Sequence, residues 1–258
     1  MRKVLTVLLV LLVLAVIVIG LVFFFTSGMV GAADGFFRAV AQKDIAKTRP
    51  FLAEGFLADT SIQELDVFLK QTALADYHKA HWGDRSISAK GVGELEGSVE
   101  TRTGGMVPIK IYFVKEKGEW KILNIQKTKA GIDSAKGAEE TPPDDQLKKM
   151  VGDSIHSLGT AINGQDFGEF YGKVARLWQA QTTKEDLLKA FQAFVDQKID
   201  LAVLERLEPV FSEVPKIDDE GMLLVQGYYP SQPVVYFKTT YVYEHPQWLL
   251  GGINVQVK

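Results

Sequence analysis

Ala41-Gln42-Lys43-Asp44-Ile45 closes an amphipathic stretch of small and apolar residues, and Asn163-Gly164-Gln165-Asp166-Phe167 closes a similar one 122 residues later. The offset persists downstream. Leu52 answers Val174, Phe56 answers Trp178, and the capping box Ser61-x-x-Glu64 answers Thr183-x-x-Asp186, with Leu65 over Leu187. Toward the end of each half, Pro108-Ile109-Lys110-Ile111-Tyr112-Phe113 is matched by Pro233-Val234-Val235-Tyr236-Phe237, and Trp120 to Gln126 by Trp248 to Gln256. Here the offset drifts to 128 at the Trp pair and 130 at the pair Asn124 and Asn254, which reads as an insertion at Gly251-Gly252, a bulge. A repeat of this length means one supersecondary unit used twice.

Outside the repeats lie two segments of different character. Val4 to Phe25 is a run of 22 uncharged, almost wholly apolar residues behind Arg2 and Lys3. At ~1.5 Å of rise per residue it covers about 33 Å, enough to cross a hydrocarbon core of roughly 30 Å. The basic pair puts the N-terminus in the cytoplasm and the rest in the periplasm or outside the cell. The rival reading is a cleaved signal peptide, since Val30 and Ala32 offer a small-residue cleavage pattern. Between the copies, residues 128–145 are poor in large apolar side chains and close on Pro142-Pro143, the signature of a linker. The expected layout is therefore a membrane anchor over 1–30, a first domain over 31–127, a linker over 128–145 and a second domain over 146–258.

Composition narrows the chemistry. The 258 residues are 47% hydrophobic and 24% charged, enough for packed cores. The absence of cysteine removes disulfides, thiolate metal sites and cysteine nucleophiles. A net charge of −3, with no basic excess in either half, argues against a nucleic-acid partner.

Within each copy helices precede strands. The first predicts helices over 34–46, 48–58 and 62–79, then strands around Gly91 to Gly97, Val107 to Lys115 and Trp120 to Lys127. The second predicts strands over 222–229, 234–244 and 248–257. Helices packed on one face of an antiparallel sheet define an α+β class. With Glu116-Lys117-Gly118-Glu119-Trp120-Lys121-Ile122 leading into the last strand, each copy resembles the NTF2-like superfamily, whose members include ketosteroid isomerases and SnoaL-type cyclases. His245-Pro246-Gln247-Trp248-Leu249 in the second copy lacks the Gly and the Lys of that ending. The resemblance implies a curved sheet wrapped around a long helix, and it implies no single function. It also implies sheet-to-sheet pairing, so that the two copies would form an internal pseudo-dimer. A topology of one span and an external NTF2-like domain is similar to that of the inner-membrane component of type IV secretion systems, from which the doubled domain departs.

Two sets of residues are candidates for function. Asp76, His78 and His81, in the polar run Asp76 to Asp84, are the acid–base candidates, placed at the end of the third helix. His78 and His81 one helical turn apart could share a metal with Asp76 or Asp84. The competing reading is a solvated helix end complementing the macrodipole, and no metal or cofactor is expected. Tyr228, Tyr236, Tyr241 and Tyr243 decorate the second sheet and are candidates for a protein-facing surface. No Gly-x-Ser-x-Gly elbow or phosphate loop occurs. The sequence thus favours a non-enzymatic, membrane-anchored module that binds an envelope protein. A small-ligand binder or isomerase-like enzyme using the first cone is the alternative.

Overall fold

The computed structural model describes residues 26–134 and 140–258. The chain is α+β, and it divides into two compact units: one holds 26–102 with Pro108–Thr128, the other Thr103–Val107 with Lys129–Lys258. The expected span Val4 to Phe25 lies outside the described residues. Among those described, no helix is long and apolar enough to cross a membrane.

The first unit opens on helix α1, residues 26–41. Met29, Ala33, Phe36, Phe37 and Val40 recur at helical spacing and are buried, with Phe36 T-stacked on Phe37. A 3-10 turn (Ile45–Phe51) and the helices α2 (Glu54–Asp59) and α3 (Ile62–Gln71) follow. Strands β1 (Tyr77–Ile87), β2 (Gly93–Thr101), β3 (Met106–Glu116) and β4 (Glu119–Lys127) form a sheet in that order. Its inward side chains Leu95, Val99, Ile109, Ile111, Phe113 and Ile122 are almost completely buried.

The second unit repeats the plan. Helix α4 (Asp144–Gly164) buries Leu147, Val151, Ile155, Leu158 and Ile162. Short helices α5 (Gly168–Lys173), α6 (Arg176–Gln179), α7 (Lys184–Ala190) and α8 (Gln192–Asp196) lead to a 3-10 turn (Leu201–Arg206). Strands β5 (Val210–Phe211) and β6 (Lys216–Ile217) both pair with β7 (Met222–Tyr229), which continues into β8 (Val235–Glu244) and β9 (Gln247–Val257).

The duplication is legible bond by bond. At an offset of 122, buried Met29, Ala33, Phe36 and Val40 answer buried Val151, Ile155, Leu158 and Ile162. Both long helices are stopped by a residue in the left-handed region, Lys43 (φ 57) and Gln165 (φ 52). Ser61 and Thr183 close capping boxes with Glu64 and Asp186. The Ala53 amide donates to the Ile122 carbonyl at 2.8 Å, and the Ala175 amide to the Leu250 carbonyl at 2.8 Å. One residue on, the Glu54 amide donates to the Glu116 carboxylate at 2.9 Å and the Arg176 amide to the Glu244 carboxylate at 2.8 Å. In each unit, then, a glutamate ending a strand holds the start of a short helix.

Several sequence expectations need correction. The strand pairings Phe113 with Ile122 and Tyr241 with Leu250 keep a constant offset of 128, and both hairpins bulge at the next step, at Leu123 and Gly251. Gly251-Gly252 is therefore no insertion, and Phe113 corresponds to Tyr241 instead of Phe237. The first helix starts by residue 26, before the expected boundary at 31, with Thr26 and Met29 fully buried. Its glycines obscured this in the sequence, yet they serve packing. A Cβ on Gly28 would stand 2.7 Å from the Trp120 ring, and one on Gly35 would overlap the ring of Phe51. The third helix ends at Gln71 instead of 79, stopped by Ala73 in the left-handed region (φ 62). Within the stretch expected to be a linker, residues 130–133 are bonded into the second unit. Ile132 donates to the Tyr243 carbonyl at 2.7 Å and accepts from the His245 amide at 3.0 Å, and Asp133 exchanges two bonds with Met106. Few apolar residues are needed to order a segment whose backbone bonds are satisfied by a strand end.

Candidate functional site

Asp76, His78 and His81 do not form the expected cluster at a helix end. Asp76 closes a 3-10 turn, and the two histidines lie on β1, an edge strand of the first sheet. On a strand, three residues span ~10 Å, about twice the separation of neighbours one turn apart on a helix, so a shared metal between His78 and His81 is lost. His78 falls in the irregular step between Tyr77 and Lys79. His81 Nε2 stands 2.9 Å from Glu100 Oε2, a cross-strand contact that holds the Glu100 carboxyl below its usual range. All three candidates are exposed. The run misread as helix carries Tyr77 and Trp82. The Tyr77 ring stacks on Phe37 at 5.3 Å, and the Trp82 indole donates to Asp34 at 2.8 Å. These long-range contacts make it a strand.

The four tyrosines divide by strand parity. On β8, Val235, Phe237, Thr239, Tyr241 and Tyr243 are buried, whereas Tyr236 and Lys238 point outward. Tyr241 and Tyr243 are only 2% and 8% exposed, so the expectation that they form a partner surface is corrected. Tyr228 and Tyr236 stay on the outer face, directly opposite each other in register with ring centroids 6.1 Å apart. Lys258 Nζ lies 5.5 Å from the Tyr236 ring. Extending the parity of Phe237 along β8 would have sorted Tyr236 from Tyr241 and Tyr243 by sequence alone.

The buried Tyr241 leads to a cavity that the sequence did not reveal. In the second unit, α4, α5 and the β8–β9 hairpin line a half-open pocket of about 170 Å³, with Met150, Ser154, Phe170, Tyr241, Trp248 and Leu250 in its wall and Asp153 and Lys173 at its rim. Ser154 Oγ donates to the Met150 carbonyl at 2.8 Å and lies 3.1 Å from the Tyr241 hydroxyl. With the serine proton committed, Tyr241 is the donor in that contact, and its oxygen lone pairs stay available as acceptors. Burial pushes the Tyr241 hydroxyl up to about 12, against the opposing effect of the neighbouring Ser154 and Thr239 hydroxyls, so it is protonated at neutral pH. Two ion pairs balance the charge at the rim: Lys173 with Glu169 at 2.5 Å, and Asp153 with Lys149 at 2.6 Å. A second, wider cleft of about 660 Å³ adjoins it across Met150, Asp153 and Trp248 and is bordered by Pro142, Pro143 and Tyr243.

No family model matches this chain, and no curated protein matches it in sequence.

Proposed function

We propose that this protein is a membrane-anchored, extracytoplasmic binding module built from two NTF2-like units. The observation that carries the reading is where the first core begins. Helix α1 is already formed at residue 26, and Thr26 and Met29 are fully buried, directly after the apolar run Val4 to Phe25. The small-residue pattern at Val30 and Ala32 falls in the middle of α1, so signal cleavage there would sever a core helix. That favours a retained anchor, with the first unit following the span without a flexible stalk.

The NTF2-like reading draws support from the order shared by both units: a long helix, a capped short helix and an antiparallel sheet with a bulged last hairpin. Binding is favoured over catalysis by the exposed, separated positions of Asp76, His78 and His81. The outward pair Tyr228 and Tyr236 is the surface assigned to an envelope protein, since tyrosine offers apolar area with a polar tip.

Intact-mass analysis of the chain recovered from washed bacterial membranes tests the anchor. The expected species retains residues before 33; a mature chain starting at Ala33 would overturn the reading. Photo-crosslinking from position 236 in intact cells, with position 90 as control, tests the surface. Adducts from 236 alone are expected, and equal labelling from both positions would count against it.

A further inference from the structure

The two units differ in side chains at one place that their shared plan brings together, around Tyr241. At an offset of 122 Ser154 of the second unit corresponds to Ala32, Ser157 to Gly35 and Lys173 to Phe51, and at the hairpin offset of 128 Tyr241 corresponds to Phe113. In the first unit Phe51 closes over Gly35 so tightly that no Cβ would fit there, and Trp120 lies against Gly28. Phe113 is fully buried in that core. The equivalent region of the first unit is thus filled by its own side chains. In the second, a serine replaces the glycine, a lysine paired outward with Glu169 replaces the plugging ring, and a hydroxyl is added at Tyr241. Each of these four changes opens the space or adds a polar atom to it, while Gly28 and Trp120 correspond to Met150 and Trp248, which line the pocket.

We propose that the second unit carries a binding site for a small, neutral molecule with an apolar body of about one aromatic ring and one hydrogen-bond donor directed at Tyr241 and Ser154. Size follows from the pocket volume of about 170 Å³, since a cavity of roughly 150 Å³ accepts benzene. Neutrality follows from the rim, where Lys173 and Asp153 are already paired with Glu169 and Lys149. The donor follows from hydrogen-bond accounting: Ser154 spends its proton on Met150, Thr239 beside Tyr241 spends its own on Val225, and Tyr241 donates to Ser154, so what remains for a ligand is oxygen lone pairs. Phe170, Val174, Leu250 and Trp248 supply the apolar wall. This site is independent of the membrane anchor and of the outward tyrosine pair.

The test uses the full chain in lipid nanodiscs and fluorine NMR of 4-fluorophenol, with fluorobenzene as the probe lacking a donor. Unlabelled phenol serves as competitor, which separates a saturable site from partition into lipid. Expected is phenol-displaceable line broadening of 4-fluorophenol. It should be abolished by the double variant Ser157→Gly with Lys173→Phe, which transplants the first unit's plug. Tyr241→Phe should cut the preference for 4-fluorophenol over fluorobenzene by about fivefold, the effect of one ordinary hydrogen bond. No displaceable broadening in the wild type, or undiminished broadening in a folded double variant, would overturn the proposal. Should the double variant fail to fold by circular dichroism, an unchanged preference in Tyr241→Phe overturns it equally.

Discussion

Replacing Met29 by alanine asks directly whether the residues just past the apolar run belong to the first core. Met29 is fully buried on α1, and its sulfur occupies the space that a Cβ on Gly93 would need, beside the Trp120 ring. The substitution removes three heavy atoms from a site walled by strand backbone, where no neighbouring side chain at Gly93 can move in to refill it. Buried Met→Ala changes lie at about 2–5 kcal/mol, and limited collapse puts this one near 3, roughly a hundredfold in the opening equilibrium. Because two units need not unfold together, a single melting curve is the wrong readout. Amide hydrogen exchange by mass spectrometry resolves them: peptides of β2 to β4 should exchange about a hundredfold faster, and those of β7 to β9 should be unchanged. Gly31→Ala is the control, since nothing lies within 4 Å of a Cβ there. Improved helix propensity of up to about 1 kcal/mol should slow the same peptides. A change below about threefold for Met29→Ala, far under the cavity expectation, would show that residues 26–33 are not part of the core.

Two further outcomes follow from the second unit. The Tyr241 hydroxyl is pushed up to about 12 by burial, above its ordinary value near 10, so the folded state holds a proton that the unfolded chain has released. Its stabilisation is complete below pH 10 and is lost as pH rises toward 12, at up to about 1.4 kcal/mol per pH unit. Burial raises Tyr229 in the same direction. Urea unfolding from pH 9 to 12 should fall less steeply for Tyr241→Phe, and an identical slope would contradict the buried placement. The paired glutamates form the other test. Glu244 is 8% exposed and holds the Arg176 amide, so Glu244→Ala should cost about 1–3 kcal/mol, whereas more exposed Glu116→Ala should cost less than about 1. Exchange rates near α6 and α2 read the two effects separately, and an equal effect would show that burial does not set the difference.

Much of the architecture was written locally. Ser61 and Thr183 announce helix starts because a side-chain oxygen three residues before a carboxylate satisfies free amides whatever the surroundings. The alternation of Ile109, Ile111 and Phe113, and of Val235, Phe237 and Thr239, announces strands because a pleated backbone sends successive side chains to opposite faces. The offset of 122 announced that one plan was used twice. These signals need no knowledge of distant residues.

Other features depend on which distant parts meet. The stretch after Gln71 has helical as well as extended character, and it became a strand once Tyr77 found Phe37 and Trp82 found Asp34. That change separated Asp76, His78 and His81 and ended their reading as a site. Gly28 and Gly35 look like helix breakers until Trp120 and Phe51 are seen lying on them. The pocket beside Tyr241 exists because the second unit has Lys173 where the first has the plugging ring of Phe51, a difference between copies that appears only when the two are aligned by their bonds. Sequence determined the elements and their duplication, since caps and periodicity act over a few residues. Tertiary structure alone decided which copy is filled and which is open, since a void is set by side chains far apart in sequence, here as distant as Met150 and Leu250.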